Sequence, residues 1–260
     1  MSKTIALFNM SGGVGKSTLT MNLSYHIAHD LQKRVLLIDV DPQASLTTFM
    51  GVSPFDMDKT LFHTLTDKEP LPILSGQFWC DLVPANIFMS QAELKLSSEL
   101  RREYRLADAI KKVDDEYDVV LLDCPPSLGI LSVNCLVAAQ YLFIPIQTEY
   151  KSVEATINLL QTTYEIARDI NPDLLVAGAI PTMHDDRTSQ ARRALQTISE
   201  IFASLRSNDF FANTSIFSPI PRRTDFANAT AEHLPLAKLS PKHAGLKPLR
   251  EITKAIGKLL

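Results

Sequence analysis

The chain has 260 residues, 45% hydrophobic and 21% charged, with 26 Lys and Arg against 29 Asp and Glu for a formal net charge of -3. That is globular composition, long enough to bury a sizeable core, and it excludes a globally basic nucleic-acid binder, so any contact with a polyanion must come from a local patch. Cys80, Cys124 and Cys135 have neither the even count nor the paired spacing of a disulfide framework or a zinc site, which points to a reducing, cytoplasmic setting. The apolar run before the first glycines is too short for a signal-peptide core.

In chain order, short apolar runs alternate with segments of helical period. TIALF precedes a helix over 17–31, RVLLID follows, and YDVVLLD leads to a helix over 128–138. QYLFIPI then leads to a helix over 153–168, and LLVAGAI to one over 187–205. Strand and helix in repeated succession predict an α/β fold, a doubly wound, mostly parallel sheet with helices on both faces, here as a single domain over 1–260. Residues 124–148 carry no charge, but three prolines, Asn134 and Gln140 interrupt them, so a buried helix and strand explain them better than a membrane span. Between 90 and 115, Leu94, Leu100, Leu106, Ala109, Ile110 and Val113 recur at roughly helical spacing among charges, which predicts two solvent-facing helices. At the far end, LKPLREITKAIGKLL puts Leu249, Ile252, Ile256 and Leu259 on one helical face.

The strand TIALF runs directly into NMSGGVGKST and then a helix. Ser11, Gly12, Gly13, Val14, Gly15, Lys16, Ser17 and Thr18 thus form a glycine-rich turn whose N–H groups converge at the positive end of a helix, an arrangement that cradles phosphates. Lys16 is placed to charge-pair the β and γ phosphates of a nucleoside triphosphate, and the Ser17 hydroxyl to ligate magnesium. The general pattern G-x-x-x-x-G-K-[ST] fails only at its first glycine, Met10 here. RVLLID and VVLLD each deliver aspartates, Asp39, Asp41 and Asp123, to the carboxyl ends of strands, where such sheets bind ligands.

With NMSGGVGKST, DVDPQAS and DCPPSLG in this order, and with PIQTEY and SPIPRRTDFANA further on, the chain resembles the ParA/MinD class of deviant P-loop ATPases, and within it the ParA-type partition ATPases. The resemblance implies Mg-ATP as ligand, Asp41 positioning the attacking water, and Asp39 and Asp123, with Ser17, around the magnesium. It places Pro181, Met183, Pro219 and Pro221 along the adenine. It also implies a homodimer with two nucleotides sandwiched between subunits, non-specific binding to nucleoid DNA, and a cargo adaptor that stimulates hydrolysis. Most relatives carry a lysine where Ser11 stands, and that lysine reaches the partner's phosphates. Since Lys16, Asp39, Asp41 and Asp123 are all kept, relocation of the charge is the preferred reading, to Lys151 first and Arg187 second. Serine at this position also resembles the subgroup that positions carboxysomes, with plasmid or chromosome partition as the alternative cargo.

The expected DNA contacts are Arg192, Arg193, Arg222, Arg223, Lys247 and Arg250, with Lys238, Lys242, Lys254 and Lys258 as further candidates. A MinD-like attachment of the last helix to a bilayer is the rival; its apolar side equally suits packing on the domain, and no Trp or Phe anchors it, so no membrane partner is expected. A redox relative of the nitrogenase iron-protein kind would need cysteines around a cluster, whereas Cys124 and Cys135 read as core residues.

Overall fold

The structure is a computed structural model describing residues 2–76 and 78–260. Seven strands form one parallel sheet in the order β3-β2-β4-β1-β5-β6-β7. They are β1 (Lys3–Leu7), β2 (Val35–Asp39), β3 (Asp81–Val83), β4 (Val119–Asp123), β5 (Tyr141–Gln147), β6 (Leu175–Thr182) and β7 (Ser215–Ile216). The chain winds outward from β1 to β2 and β3, returns to β4, and then runs through β5, β6 and β7 on the other side. This reversal next to β1 opens a crevice at the carboxyl ends of the central strands.

Strand side chains alternate between two apolar layers, as the period of two demands: Ala6 and Phe8 enter one, Ile5 and Leu7 the other. The first layer is covered by α3 (Leu61–Asp67), α4 (Met89–Leu96), α5 (Arg105–Ile110), α6 (Ile130–Ala138), α7 (Tyr150–Asp169) and α8 (Ser189–Leu205). The second is covered by α1 (Lys16–Asp30), α2 (Ser45–Phe49), α9 (Asp225–Ala231), α10 (Leu236–Leu239) and α11 (Leu246–Gly257). The predicted doubly wound architecture is therefore present, and the uncharged stretch 124–148 resolves into the β4–α6 loop, α6 and β5. Among the described residues no helix is long and apolar enough to cross a membrane.

One expectation needs correction. Leu94 and Leu100 do not join the buried face of residues 90–115: they are 77% and 89% exposed. The chain breaks after α4 and restarts through a 3-10 turn at Arg102–Tyr104, so no single helical period spans the stretch; α4 turns Met89, Ala92 and Leu96 inward instead. Helices α4 and α5 each set one face on the core and leave the other toward solvent. The last helix keeps its predicted apolar face. Leu249, Ile252 and Ile256 of α11 are fully buried against α1, and Leu259 packs at the margin of that layer.

Candidate active site

The loop between β1 and α1 is held from three sides. The Asn9 amide donates to the Pro145 carbonyl of β5 at 2.6 Å and accepts the Ser11 N–H at 2.8 Å. The Thr182 hydroxyl, at the end of β6, donates to the Val14 carbonyl at 2.9 Å. Met10, in place of the usual glycine, packs against the first apolar layer. Gly13 and Gly15 take φ of +73° and +91°, which side chains resist, so the turn that aims backbone N–H groups at one point depends on these two glycines. Lys16 opens α1, is buried, and folds back to donate to the carbonyls of Asn9 and Ser11, both at 3.1 Å. Its ammonium thus caps the anion cradle. Burial lowers its pKa, and Asp123 pulls in the opposite direction.

Strand β4, beside β1, and strand β2, one further out, supply the acids in register. Asp39 is paired with Asp123 across β2 and β4, and Asp123 with Leu7 across β4 and β1. The two carboxyls differ in what they hold. Asp39 accepts the Asp41 N–H at 3.1 Å on one oxygen, and the Thr47 N–H and hydroxyl at 2.8 and 2.7 Å on the other. Thr47 in turn accepts the Ala85 N–H at 3.0 Å. Asp39 therefore ties together the loop that carries Asp41, as a positioning residue. Neither oxygen of Asp123, by contrast, has a hydrogen-bond partner, although the carboxyl is wholly buried and the Ser17 hydroxyl lies near enough to lower its pKa. Burial first, and then the neighbouring Asp39, push the Asp123 carboxyl upward; burial raises Asp39 to about 7. The buried, unpartnered Asp123 carboxyl beside the Ser17 hydroxyl offers oxygen donors that suit a hard divalent cation.

Asp41 is buried at the mouth of this group, where its carboxylate accepts the Gln43 N–H at 2.9 Å and desolvation raises its pKa. The loop after Asp123 closes over the phosphate turn: a Cβ built on Gly12 would stand 4.0 Å from that of Pro126. Ala44 and Met183, both non-glycine residues with φ near +50°, border the site, the kind of local strain that collects at functional loops.

A cavity of about 500 Å³ continues from Val14, Gly15 and Thr18 between Phe49 and Phe226 to Met183 and Pro221. The stretch 217–222 is fastened beside β6 by Ile220 N–H to Pro181 carbonyl (2.8 Å) and by two bonds between the His184 backbone and residues 220 and 222 (each 2.9 Å). That pairing brings Met183 and Pro221 together; Pro181 and Pro219 lie outside the lining. Phe49, Phe226, Asn9, Thr47 and Thr182 belong to the site and were missed in the sequence, where no fixed spacing from the phosphate loop marks them.

Lys151 occupies the first turn of α7, exposed on the same rim as the phosphate loop, because β5 neighbours β1 and ends at Gln147. Arg187 instead pairs with Asp185 at 2.8 Å, which holds that carboxyl down at about 2. The six expected DNA contacts do not form one patch. Arg192 and Arg193 lie on α8 and Lys247 and Arg250 on α11, on opposite layers of the sheet; Arg222 and Arg223 line the cavity just described. Cys124 and Cys135 are buried in the first layer and Cys80 in the second.

A phosphate turn at the end of the central strand, flanked by acids in register on the next two, defines the P-loop nucleoside triphosphatases. The AAA domain family matches residues 2–176. The chain is 33% identical over 259 residues to the sporulation initiation inhibitor protein Soj of Bacillus subtilis, covering 98% of each. It is 32% identical over 259 residues to the chromosome partitioning protein ParA of Caulobacter vibrioides, covering 96% of this chain and 93% of that one. Cobyrinic acid a,c-diamide synthase from Mycobacterium smegmatis, solved with a bound ATP analog and magnesium, superposes with a TM-score of 0.81 at 30% identity over 98% of this chain and 94% of that one. McdA from Cyanothece, solved as the ATP complex of a substituted form, shares the fold, with a TM-score of 0.85 at 23% identity over 98% and 96% of the two chains. The chain belongs to the ParA/MinD-type P-loop ATPase family.

Proposed function

We propose that the 260 residues act as one ATPase domain that binds Mg-ATP, dimerises around two nucleotides, binds nucleoid DNA non-specifically in that state, and is released by adaptor-stimulated hydrolysis. The observation that carries the reading is Asp123: buried, in register with Asp39, and unpartnered at both oxygens beside Ser17. In this reading the turn 11–17 binds the triphosphate through backbone N–H groups and Lys16, and the cavity between Phe49 and Phe226 takes the base. Magnesium, held by Asp123 and the Ser17 hydroxyl, supplies charge neutralisation on the phosphates. Asp41 orients water toward the γ-phosphate and takes up its proton; Asp39 holds Asp41 in place. A cation from the facing copy, Lys151, completes the charge that Ser11 cannot provide.

For the cargo, the relative named for chromosome partitioning, near-complete in coverage and about one-third identical, favours a DNA-linked cargo. A carboxysome is the second reading, resting on Ser11 alone. A membrane-bound role is disfavoured because the apolar side of α11 is already used against α1. The test is DNA retention and vesicle sedimentation, each with and without ATP. The proposal expects ATP-dependent DNA binding that weakens steeply with salt and no sedimentation with vesicles; the reverse pattern would replace it with the membrane reading.

A further inference from the structure

A second cavity, of about 310 Å³, opens between α3 and α5, and none of its lining belongs to the nucleotide site. Four cations, Lys68, Arg101, Arg105 and Lys112, line it against two acids, Glu69 and Asp108. The acids are already engaged: Glu69 pairs with Lys59, and Asp108 with Arg101 at 3.6 Å. The side chains of Lys68 and Lys112 have no such partner among the described residues, and both are exposed at the mouth.

Arg105 stands apart from the other three. It is 8% exposed, its Nη2 donates to Glu99 at 2.6 Å, and its Nε is buried with no acceptor. A guanidinium N–H shut away from water without an acceptor is costly, and an anion supplying the missing oxygen removes that cost. A phosphate oxygen is a strong acceptor for this Nε–H, in a charge-assisted bond that leaves the Glu99 contact at Nη2 in place. The volume, at the small end of ligand cavities, suits a compact anion and not an aromatic one.

We propose that this cavity is a second anion site, taking a small phosphate-bearing ligand between Arg105 at its base and Lys68 and Lys112 at its rim. Ligation there has a physical route to the nucleotide site: Asn134 of α6 accepts the Leu106 N–H of α5 at 3.0 Å and donates to the Arg102 carbonyl at 2.9 Å. Helix α6 begins where the loop from Asp123 ends.

The test is calorimetric titration of pyrophosphate into the full chain with its phosphate turn saturated by ADP and magnesium, in the wild type, in Lys68→Ala/Lys112→Ala, and in Lys33→Ala/Arg206→Ala as a charge-matched control. Lys33, Lys68, Lys112 and Arg206 are all exposed, so the folded state should survive. Binding about ten-fold weaker or more in the first double variant, with the control and ADP affinity unchanged, is the expected result. Absence of pyrophosphate binding to the ADP-loaded wild type, or equal loss in both double variants, would overturn it. A parallel arm with duplex DNA separates the sources of phosphate: if Lys68→Ala/Lys112→Ala lowers DNA retention but leaves pyrophosphate binding intact, the lysines serve a polyanion surface and the cavity site is refuted.

Discussion

Asp39 and Asp123 sit in register on neighbouring strands, yet their surroundings assign them different work. Asp39 has both oxygens committed to Asp41 and Thr47, whereas Asp123 has both open. Thr47→Val should therefore act through Asp39: it removes a donor to a buried carboxyl and an acceptor for Ala85, and should lower stability by about 1–3 kcal/mol in chemical denaturation. Asp41→Ala should leave ATP affinity near wild type while hydrolysis falls by about 10²–10⁴-fold in a phosphate-release assay, the range for losing a group that handles a proton in the reaction; loss of ATP binding instead would make Asp41 a ligand-binding residue. The phosphate turn and all three aspartates were legible in the sequence because their chemistry depends on residue type at fixed spacing from strand ends. Asn9 and Thr47 were not, because their importance lies in partners 136 and 8 residues away that only folding selects.

Among the elements, the five long strands announced themselves as apolar runs, but β3 and β7 have three and two residues, too few for a pattern. Helix α11 was legible as amphipathic without revealing what its apolar side touches. The answer is α1. Ile252→Ala should cost about 2–5 kcal/mol, measured by denaturant unfolding, as expected for a large-to-small change in a packed layer. The same region carries a pH response. His26 of α1 is buried, shares a hydrogen bond with Asp30 at 2.8 Å, and faces Arg250 of α11 and His29. Desolvation lowers its pKa despite the Asp30 hydrogen bond, so the folded chain binds fewer protons there than the unfolded one. Its contribution to stability thus rises with pH through the window between the depressed folded value and the ordinary 6.5, and is lost below it. Melting temperatures at pH 5 and 7.5 should separate more in the wild type than in His26→Gln; equal separation would show that His26 is not the group responsible.

For the molecule as a whole, the division of its cations between two layers limits how it can meet DNA. Arg192 and Arg193 cannot share one flat surface with Lys247 and Arg250 on a single copy. Replacing one pair by alanine should reduce the salt slope of DNA binding by about one unit per lost phosphate contact, with the other pair nearly silent. Equal effects from both would show that DNA wraps the molecule or that the charge acts diffusely.

The central claim is that two copies close over bound triphosphate and exchange a lysine from α7 in place of the one missing at Ser11. Static light scattering on Asp41→Ala with ATP and magnesium, alone and combined with Lys151→Ala, addresses it most directly. A doubled molar mass with ATP, reverting to that of one chain when Lys151 is also replaced while ATP stays bound, is the predicted result. A single-chain mass for Asp41→Ala at every concentration, or a dimer indifferent to Lys151, would contradict it.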